Sequence, residues 1–303
     1  MDKESTRILL VEDDPEDALL IREMLNDAQN FPFEMECADS LSTALERLDK
    51  ANPDVVLSDL GLPDSLGLDT FTRIQAQAPE TPILVLTGTF DNVENAIEAV
   101  KKGAQDYLLK DKVNGEMLAR SIRYAIERKR LVEIIRKMAL HDPLTNLPNR
   151  TLLNDRLAVA LVHAHRNKEM LAVMFLDLDE FKAVNDMHGH AVGDQLLKGI
   201  GERLTDCVRE GDTVARHGGD EFTLLLPGIK QTEDTTRIAH KILTNVKQPL
   251  ALKDIKLSIT TSIGIALYPN HAADHDTLLK NADTAMYRAK NRGKDNYQFY
   301  APA

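Results

Sequence analysis

The fold of the second half of the chain is indicated most clearly by residues 214–222, which read VARHGGDEF. Two adjacent glycines, Gly218 and Gly219, lie between runs of β-branched and aromatic residues, a pattern typical of a tight β-hairpin. Glycine at such a turn accepts positive φ angles and lets a phosphate approach the backbone closely. Because Asp220 and Glu221 follow at once, the stretch predicts a hairpin that carries carboxylates next to a place where phosphate can approach.

A second acidic cluster supports a functional interpretation, since a Gly-Gly hairpin alone is usually only structural. Residues 175–179, FLDLD, end an apolar strand that is predicted over Ala172 to Leu176. The two-residue period of a strand directs Asp177 and Asp179 to the same face. Two acidic strand ends that face each other would form a Mg²⁺ site suited to a nucleoside triphosphate.

The rest of the second half mixes strands and helices in an order that favours antiparallel strands. The pattern predicts a helix from His190, a helix over Asp234 to Val246, a strand over Leu257 to Ala266 and a helix over Asp274 to Asn291. We therefore expect an α/β sandwich with antiparallel strands over residues 141–303.

The first half has a different order, because β-rich runs alternate with helical patterns from Arg7 to Lys110. Apolar strands are predicted over Ile8 to Val11, Val55 to Leu57 and Ile83 to Leu86, and helices over Glu16 to Ala28, Ser42 to Ala51, Leu68 to Ala78 and Val93 to Lys102. Uniformly apolar strands are typical of a parallel sheet buried on both faces. The pattern predicts an α/β fold, a doubly wound (βα)5 unit.

Polar residues follow the predicted strands of this unit. Glu12, Asp13 and Asp14 follow the first strand, Asp59 the third, Thr87 the fourth and Lys110 the fifth. Ligands of such sheets bind at the carboxyl ends of the strands. Converging carboxylates suit Mg²⁺, while lysine and threonine can contact a phosphoryl group. The plainer interpretation, in which the acidic residues only cap helices, leaves Thr87 and Lys110 unexplained.

Residues 5–125 resemble a response-regulator receiver domain. The motifs are LVEDDP (10–15), LSDLGLPD (57–64), LTGT (86–89) and DYLLK (106–110). The resemblance implies a flavodoxin-like fold in which Asp59 accepts a phosphoryl group from a histidine kinase. It also implies that Glu12 and Asp13 hold Mg²⁺, that Lys110 and Thr87 contact the phosphate, and that Tyr107 is the switch aromatic. Asp14 leaves the choice of acidic pair open.

A long helix without proline is predicted over Asn114 to Met138. Apolar residues recur along it at spacings of three, four and seven: Met117, Tyr124, Leu131, Ile135 and Met138. Two alternatives fit this apolar seam. The helix either packs on its own domain or forms, over part of its length, a coiled coil with a second chain.

The composition is ordinary for a folded protein of two domains. The chain has 303 residues, 43% of them hydrophobic and 28% charged. Its net charge of -11 opposes nucleic-acid binding, and its two cysteines, Cys37 and Cys207, are too few for a thiolate zinc site. The first residues lack an apolar signal core, and the longest apolar run is far shorter than a membrane span. We therefore expect a cytoplasmic protein with neither nucleic acid nor membrane as a partner.

Residues 139–300 closely resemble the GGDEF domain of diguanylate cyclases in five separated motifs. They are DPLTNLPNR (142–150), DLDEFKAVND (177–186), GHAVGD (189–194), GGDEF (218–222) and AKNRGK (289–294). The resemblance implies the condensation of two GTP molecules to cyclic di-GMP. Each domain would hold one GTP and two domains would meet face to face, which implies a homodimer.

The resemblance also implies a role for individual residues. The implied roles are Mg²⁺ binding by Asp177, the Leu178 carbonyl and Asp220, with Glu221 as an acidic partner; guanine recognition by Asn185 and Asp194; and phosphate binding by Phe181, Lys182, Lys290 and Lys294. Phosphoryl transfer depends on positioning and on cations that neutralise phosphate charge, which the lysines and Mg²⁺ supply.

The base that deprotonates the 3′-hydroxyl stays open. Asp220 is the usual candidate of the family, but a carboxylate bound to a metal has a depressed pKa and is a weak base. Activation of the hydroxyl by the metal is the alternative. The chain departs from the family at Asn146, often glycine, and at Lys294, where a second basic side chain is often arginine. Lys294 keeps the charge but loses the bidentate fork.

Arg209 and Asp212 lie before the hairpin, and five residues separate Asp212 from Gly218. An arginine and an aspartate three residues apart commonly form no more than an exposed salt bridge. Their position matches the inhibitory site of the family, however. The resemblance therefore implies that Arg209 and Asp212 bind cyclic di-GMP and provide product feedback.

These features predict a receiver domain over residues 1–125, a helical stalk over 126–140 and a GGDEF domain over 141–303. The expected function is a phosphorylation-controlled diguanylate cyclase. A cyclic di-GMP receptor that uses only Arg209 and Asp212, and an adaptor driven by the receiver domain, are the alternatives. The intact set of carboxylates in the second half argues against both.

Overall fold

The computed structural model describes residues 5–88, 93–252 and 255–302. The chain divides into two compact units, residues 1–135 and 136–303. Each unit has hydrophobic clusters of its own. None of the helices in the described ranges combines the length and the apolar character that crossing a bilayer requires.

The first unit alternates strands with helices and adds one short hairpin. Its elements are β1 (Thr6–Val11), α1 (Pro15–Asp27), β2 (Phe33–Ala38), α2 (Leu41–Lys50), β3 (Val55–Asp59), β4 (Gly61–Leu62), β5 (Ser65–Leu66), α3 (Leu68–Gln77), β6 (Ile83–Thr87), α4 (Val93–Lys101), β7 (Asp106–Leu109) and α5 (Gly115–Leu140). The order of the main sheet is β2-β1-β3-β6-β7, and every pair in it is parallel. The predicted doubly wound (βα)5 fold is confirmed.

This sheet is buried on both faces, as its uniformly apolar strands predict. Ile8 and Leu10 of β1 belong to one hydrophobic cluster, and Leu9 and Val11 belong to the other. Because all five strands run in the same direction, their carboxyl ends meet at one edge. The polar residues that follow the strands are thereby brought together.

Helix α5 has a buried apolar face in its first part and a second apolar face that is exposed. Leu118, Ala119, Ile122 and Ala125 are buried in the core of the first unit. The residues of the predicted apolar seam are exposed in the single chain: Met117, Tyr124, Leu131, Ile135 and Met138. The first part of the helix thus packs on its own unit, while the seam residues lie on another face.

The second unit is built around a mostly antiparallel sheet. Its elements are α6 (Arg150–Asn167), β8 (Met170–Leu178), α7 (Phe181–His188), α8 (His190–Cys207), β9 (Thr213–Gly218), β10 (Glu221–Ile229), α9 (Thr232–Lys247), β11 (Leu250–Leu252), β12 (Ile255–Leu257), β13 (Thr261–Tyr268), α10 (His275–Asn291) and β14 (Tyr297–Phe299). The sheet order is β14-β13-β8-β10-β9, with only the β13–β14 pair parallel among its described strands.

Alternate residues of the central strand β8 enter different clusters. Met174 and Leu176 pack in the cluster that contains residues of α8 and α9, whereas Val173 and Phe175 pack in the cluster that contains residues of α6 and α10. The sheet therefore has helices on both faces, which confirms the predicted α/β sandwich with antiparallel strands.

Some elements differ from the sequence prediction. The strand predicted over Leu257 to Ala266 is wrong, because β12 ends at Leu257, β13 begins at Thr261 and the residues between them are in neither strand. Helix α7 was not predicted. Its N-cap residue Glu180 is left-handed and makes no side-chain capping hydrogen bond within the described chain, so the sequence carries no cap signal there.

Candidate functional site

The hairpin of the second unit has the backbone that its glycines predict. Gly218 and Gly219 have φ angles of 144° and 55°, which favour glycine. Gly219 and Asp220 lie between β9 and β10, and Glu221 pairs with Asp177 in the register of β10 and β8. The Leu178 N–H donates to the Asp220 carbonyl at 3.3 Å. The two acidic stretches therefore meet at the end of the central strands.

Asp177 is buried at this meeting point and forms an ion pair. Its Oδ2 lies 2.7 Å from Lys290 Nζ. Burial raises the pKa of Asp177, and the Asp220 carboxylate adds to this effect, although the hydrogen bond from Lys290 opposes it. Burial also raises the pKa of Glu221, with further contributions from Asp177 and Asp220. Asp177, Asp220 and Glu221 therefore repel one another, and a bound cation would reduce this repulsion.

The oxygen donors of this site fit Mg²⁺. No group of three or more His, Cys, Asp and Glu side chains within the described ranges is placed to hold a metal on its own. Mg²⁺, however, is commonly bound by one or two carboxylates together with waters and substrate phosphates. Asp177, the Leu178 carbonyl and Asp220 suit such a partial shell, which a triphosphate would complete.

Asp179, which the strand period predicts on the same face as Asp177, is held by three hydrogen bonds. Its Oδ1 accepts a hydrogen bond from Ser262 Oγ at 2.7 Å, and its Oδ2 accepts from Thr260 Oγ1 at 2.6 Å and from the Asp295 N–H at 3.1 Å. Because β8 ends at Leu178, Asp179 lies just beyond the strand from whose alternation it was placed.

The expected phosphate-binding residues lie around the start of α7 and the end of α10. The Phe181 side chain is buried in the core, and the residue begins α7. Lys182 is exposed, and Lys294 Nζ lies 2.9 Å from Glu180 Oε1. Hydrogen bonding to Glu180 raises the pKa of Lys294, which is therefore a cation at neutral pH.

The two expected guanine-recognition residues are brought together by α7 and α8. Asn185 lies on α7, and Asp194 lies on the first turns of α8 and is exposed. Gly193 leaves room for Asn185, because a Cβ at that position would come within 2.0 Å of Asn185 Oδ1. Glycine here therefore permits the position that the amide of Asn185 occupies.

In the first unit, Lys110 gathers the carboxylates that follow the strands. Its Nζ lies 2.6 Å from both Glu12 Oε2 and Asp59 Oδ2, and 2.7 Å from Asp17 Oδ2. Asp59 also accepts a hydrogen bond from the Gly61 N–H at 2.8 Å. Burial raises the pKa of Glu12 to about 6, against the opposing hydrogen bond from Lys110. Burial acts to lower the pKa of Lys110, but its three carboxylate partners raise it above its ordinary value.

The remaining predicted residues of this unit lie around that cluster. Thr87 is buried at the end of β6, Asp13 is exposed, and Tyr107 is partly buried on β7. Asp14 caps α1, since its side chain accepts from the Glu16 N–H at 2.8 Å. The helix-capping interpretation thus holds for Asp14. Residue 89 of the LTGT motif lies outside the described residues.

Two contacts were missed by sequence reasoning. Asp17 was not singled out, although it lies one turn after the acidic run. Asp142 Oδ1 lies 2.8 Å from Arg216 Nη1, and Arg216 Nη2 donates to the Gly219 carbonyl at 2.7 Å. The motif that begins at Asp142 is therefore connected to the hairpin turn through Arg216. Because this motif is one of the five that match the family, a role near the site could have been expected for it.

Arg209 and Asp212 pair with each other in the structure. Arg209 Nε lies 3.1 Å from Asp212 Oδ1, and the guanidinium is mostly exposed. Both residues line a cavity of about 490 Å³ whose other charged lining residues are Lys230, Asp234, Arg237 and Lys241, with Arg237 paired to Asp234. The cations around this cavity suit an anionic ligand such as a phosphodiester.

Comparisons with known families match both halves of the chain. The family model for the diguanylate cyclase GGDEF domain matches residues 139–296, and that for the response regulator receiver domain matches residues 8–122. The bifunctional diguanylate cyclase/cyclic di-GMP phosphodiesterase MucR of Pseudomonas aeruginosa is 47% identical over 164 residues, covering 54% of this chain and 24% of MucR.

Two further similar proteins have solved structures. The diguanylate cyclase TpbB of Pseudomonas aeruginosa is 46% identical over 157 residues, covering 52% of this chain and 36% of TpbB. The structure of its GGDEF domain matches with a TM-score of 0.52 at 44% identity, covering 53% of this chain and 94% of that one. The coiled coil and GGDEF domain of DgcB from Caulobacter crescentus, solved with c-di-GMP, matches with a TM-score of 0.54 at 27% identity, covering 60% and 96%. This chain thus spans about a quarter to a third of the length of MucR and TpbB.

Proposed function

The chain belongs to the GGDEF diguanylate cyclase domain family, with a receiver domain before the GGDEF domain, and from this premise we propose that it is a phosphorylation-controlled diguanylate cyclase. The reaction joins two GTP molecules into cyclic di-GMP and releases two diphosphates. A reaction that consumes GTP is expected in the cytoplasm.

The observation that carries the proposal is the meeting of Asp177 with the Gly219–Asp220 turn beside Lys290. In each half-reaction the 3′-oxygen of one GTP attacks the α-phosphorus of the other, and the bond to the departing diphosphate breaks. This step is dominated by positioning and by charge neutralisation. Two domains must face each other, because each holds one GTP.

Mg²⁺ fits the oxygens of Asp177, the Leu178 carbonyl and Asp220, and when bound it neutralises triphosphate charge. Lys182, Lys290 and Lys294, with the N-terminus of α7, bind the phosphates. Asn185 and Asp194 recognise guanine, Asp194 by accepting from the ring and amino N–H groups. The group that takes the proton of the 3′-hydroxyl is either Asp220 or a metal-bound water.

The receiver domain, which we assign to residues 1–125, controls assembly in this proposal. A histidine kinase phosphorylates Asp59, with Mg²⁺ held by Glu12 and Asp13. Lys110 and Thr87 then contact the phosphoryl oxygens and Tyr107 changes its packing. The exposed apolar seam of α5 supports a homodimer through the stalk, residues 126–140, which brings two cyclase domains, residues 141–303, together.

Product feedback is assigned to Arg209 and Asp212. The Arg209 guanidinium can bind phosphate and guanine, and Asp212 can accept from guanine N–H groups. The cationic lining of the neighbouring cavity supports this assignment.

The proposal is tested by incubating the purified full chain with GTP and Mg²⁺ and separating the nucleotides by chromatography. We expect cyclic di-GMP and diphosphate from the wild type, and neither from Asp220→Ala. A folded wild type, activated by a phosphate mimic, that leaves GTP unchanged would overturn the proposal.

A further inference from the structure

Asp179 lies two residues after Asp177, yet its contacts are of another kind. Asp177 contacts a lysine at the cyclase site, whereas both carboxylate oxygens of Asp179 accept hydrogen bonds from neutral donors. The residue is 6% exposed. Its own N–H donates to the Thr260 carbonyl at 2.9 Å. Asp179 is therefore fixed from several sides within the fold.

The contact that matters for the reaction is the one to Asp295. The turn after α10 contains Lys294 and Asp295, which have φ angles of 61° and 47°. Such left-handed backbone angles are uncommon for residues other than glycine, although aspartate adopts them more readily than lysine. The Asp295 N–H donates to Asp179 Oδ2 at 3.1 Å. Asp179 thus anchors the turn that carries Lys294.

Two adjacent residues, Asp179 and Glu180, bind this turn. Asp179 holds its backbone, while Glu180 Oε1 lies 2.9 Å from Lys294 Nζ. Asn296 Nδ2 also donates to the Lys294 carbonyl at 2.8 Å. The position of the Lys294 ammonium therefore depends on a backbone that Asp179 holds in place.

We infer that Asp179 is a positioning residue, which acts through Lys294 on triphosphate binding, and not a metal ligand. The inference rests on the proposed function, since it assumes that Lys294 contacts the triphosphate. It separates the two acidic residues of the strand end: Asp177 takes part in metal binding, and Asp179 fixes a phosphate-binding lysine.

The test measures binding to the full chain of a GTP analogue with a methylene bridge between the α- and β-phosphates, which cannot release diphosphate. Titrations are done with Mg²⁺ and with EDTA. We expect Asp179→Ala to weaken binding about fivefold under both conditions, because a displaced Lys294 keeps only part of its contact with the triphosphate. Asp177→Asn, by contrast, should lose only the Mg²⁺-dependent part of the affinity.

Asp179→Asn is the matched conservative variant. Its amide oxygen can still accept from Thr260 and Asp295, while its amide nitrogen can donate to Ser262 Oγ. We expect it to restore the affinity to within about twofold of the wild type. A metal ligand would not be rescued in this way, because a neutral amide replaces a carboxylate. If Asp179→Ala and Asp179→Asn both lose affinity, and do so only in the presence of Mg²⁺, the inference is overturned.

A double variant tests whether the effect passes through Lys294. Asp179→Ala combined with Lys294→Met should bind no more weakly than Lys294→Met does. If each single variant weakens binding about fivefold and the double variant weakens it about 25-fold, the two effects are independent. Asp179 then acts elsewhere and the inference is wrong.

A milder pair of variants covers the case in which Asp179→Ala does not fold. Thr260→Val removes the hydroxyl that donates to Asp179, and Thr260→Ser keeps it. We expect weaker binding for the valine variant and wild-type binding for the serine variant; wild-type binding by both would overturn the inference. If the wild type binds the analogue but makes no cyclic di-GMP, the proposed function fails while these comparisons still decide the role of Asp179.

Discussion

In the first unit one buried lysine contacts three carboxylates, whereas in the second unit two more exposed lysines contact one carboxylate each. The side chain of Lys110 is 10% exposed, while those of Lys290 and Lys294 are 32% and 44% exposed. A new charge on Asp59 must therefore change the contacts of Lys110 with Glu12 and Asp17 as well. The first arrangement suits a switch, and the second suits a site that receives a cation and a polyanion.

The largest effect is expected from the acidic turn of the second unit. Asp220→Ala removes an oxygen donor at the point where triphosphate charge must be neutralised, so we expect turnover to fall by about a hundredfold or more. Circular dichroism should show an unchanged fold. Asp276→Ala, at a carboxylate whose side chain is 97% exposed, is the control. If Asp220→Ala turned over GTP at an unchanged rate, the acidic turn of the second unit would not be the site that receives a cation and a polyanion.

The guanine-recognition site is expected to respond next. Gly193→Ala would place a Cβ within 2.0 Å of Asn185 Oδ1 and 3.2 Å of the Phe181 ring, so Asn185 must move. We expect the KM for GTP to rise about tenfold with a smaller change in kcat. Gly211→Ala is the matched control, because a Cβ there meets no heavy atom of the described residues within 4 Å. Equal initial rates for both variants would show that Asn185 is not held by Gly193.

The charge cluster of the first unit should appear as a dependence of stability on pH. Since Glu12 has a pKa of about 6 when folded and an ordinary value of 4.5, the folded state keeps a proton that the unfolded state releases. This contribution, about 2 kcal/mol, is complete below pH 4.5 and is lost as the pH rises through 6. Urea unfolding in EDTA should therefore show a decrease in the free energy of unfolding over this range.

Glu12→Gln has no such proton to lose, so its stability should not fall in that window. The difference between the two proteins isolates Glu12 from the other titrating groups of the chain. Parallel pH profiles would contradict the account of a Glu12 carboxyl whose charge is disfavoured by burial.

The smallest effect on the initial rate is expected at the feedback site. Arg209→Ala should keep initial turnover within about twofold, because Arg209 contacts Asp212 and not the acidic turn. Product should nevertheless accumulate further before the rate falls. Progress curves with added cyclic di-GMP measure this, and equal product sensitivity of wild type and variant would rule out the assigned feedback site.

The features that could be predicted from the sequence are those with local signals. The Gly218–Gly219 pair predicts its hairpin because few other residues accept those φ angles. Asp59 and Lys110 could be placed together because the carboxyl ends of parallel strands share one edge. Helix α5 was predicted over nearly its full length from its apolar period and the lack of proline.

The features that could not be predicted depend on contacts between distant residues. Asp17 and Lys110 are 93 residues apart, and nothing in the first turn of α1 indicates that contact. Asp179 follows the strand alternation of Asp177 in sequence, but its hydrogen bonds to Thr260 and Asp295 belong to tertiary structure. The break between β12 and β13 has the same cause, since Thr260 faces Asp179 and not a strand partner.

The central claim is that the receiver domain controls a diguanylate cyclase. The most direct test measures two quantities for the wild type and for Asp59→Ala: the rate of cyclic di-GMP synthesis, and the oligomeric state by light scattering. Each is measured with and without beryllofluoride, which mimics the phosphoryl group. We expect the mimic to shift the wild type toward dimer and to raise its turnover about fivefold or more, with no change in Asp59→Ala. A wild type that is equally dimeric and equally active without the mimic would contradict control by assembly.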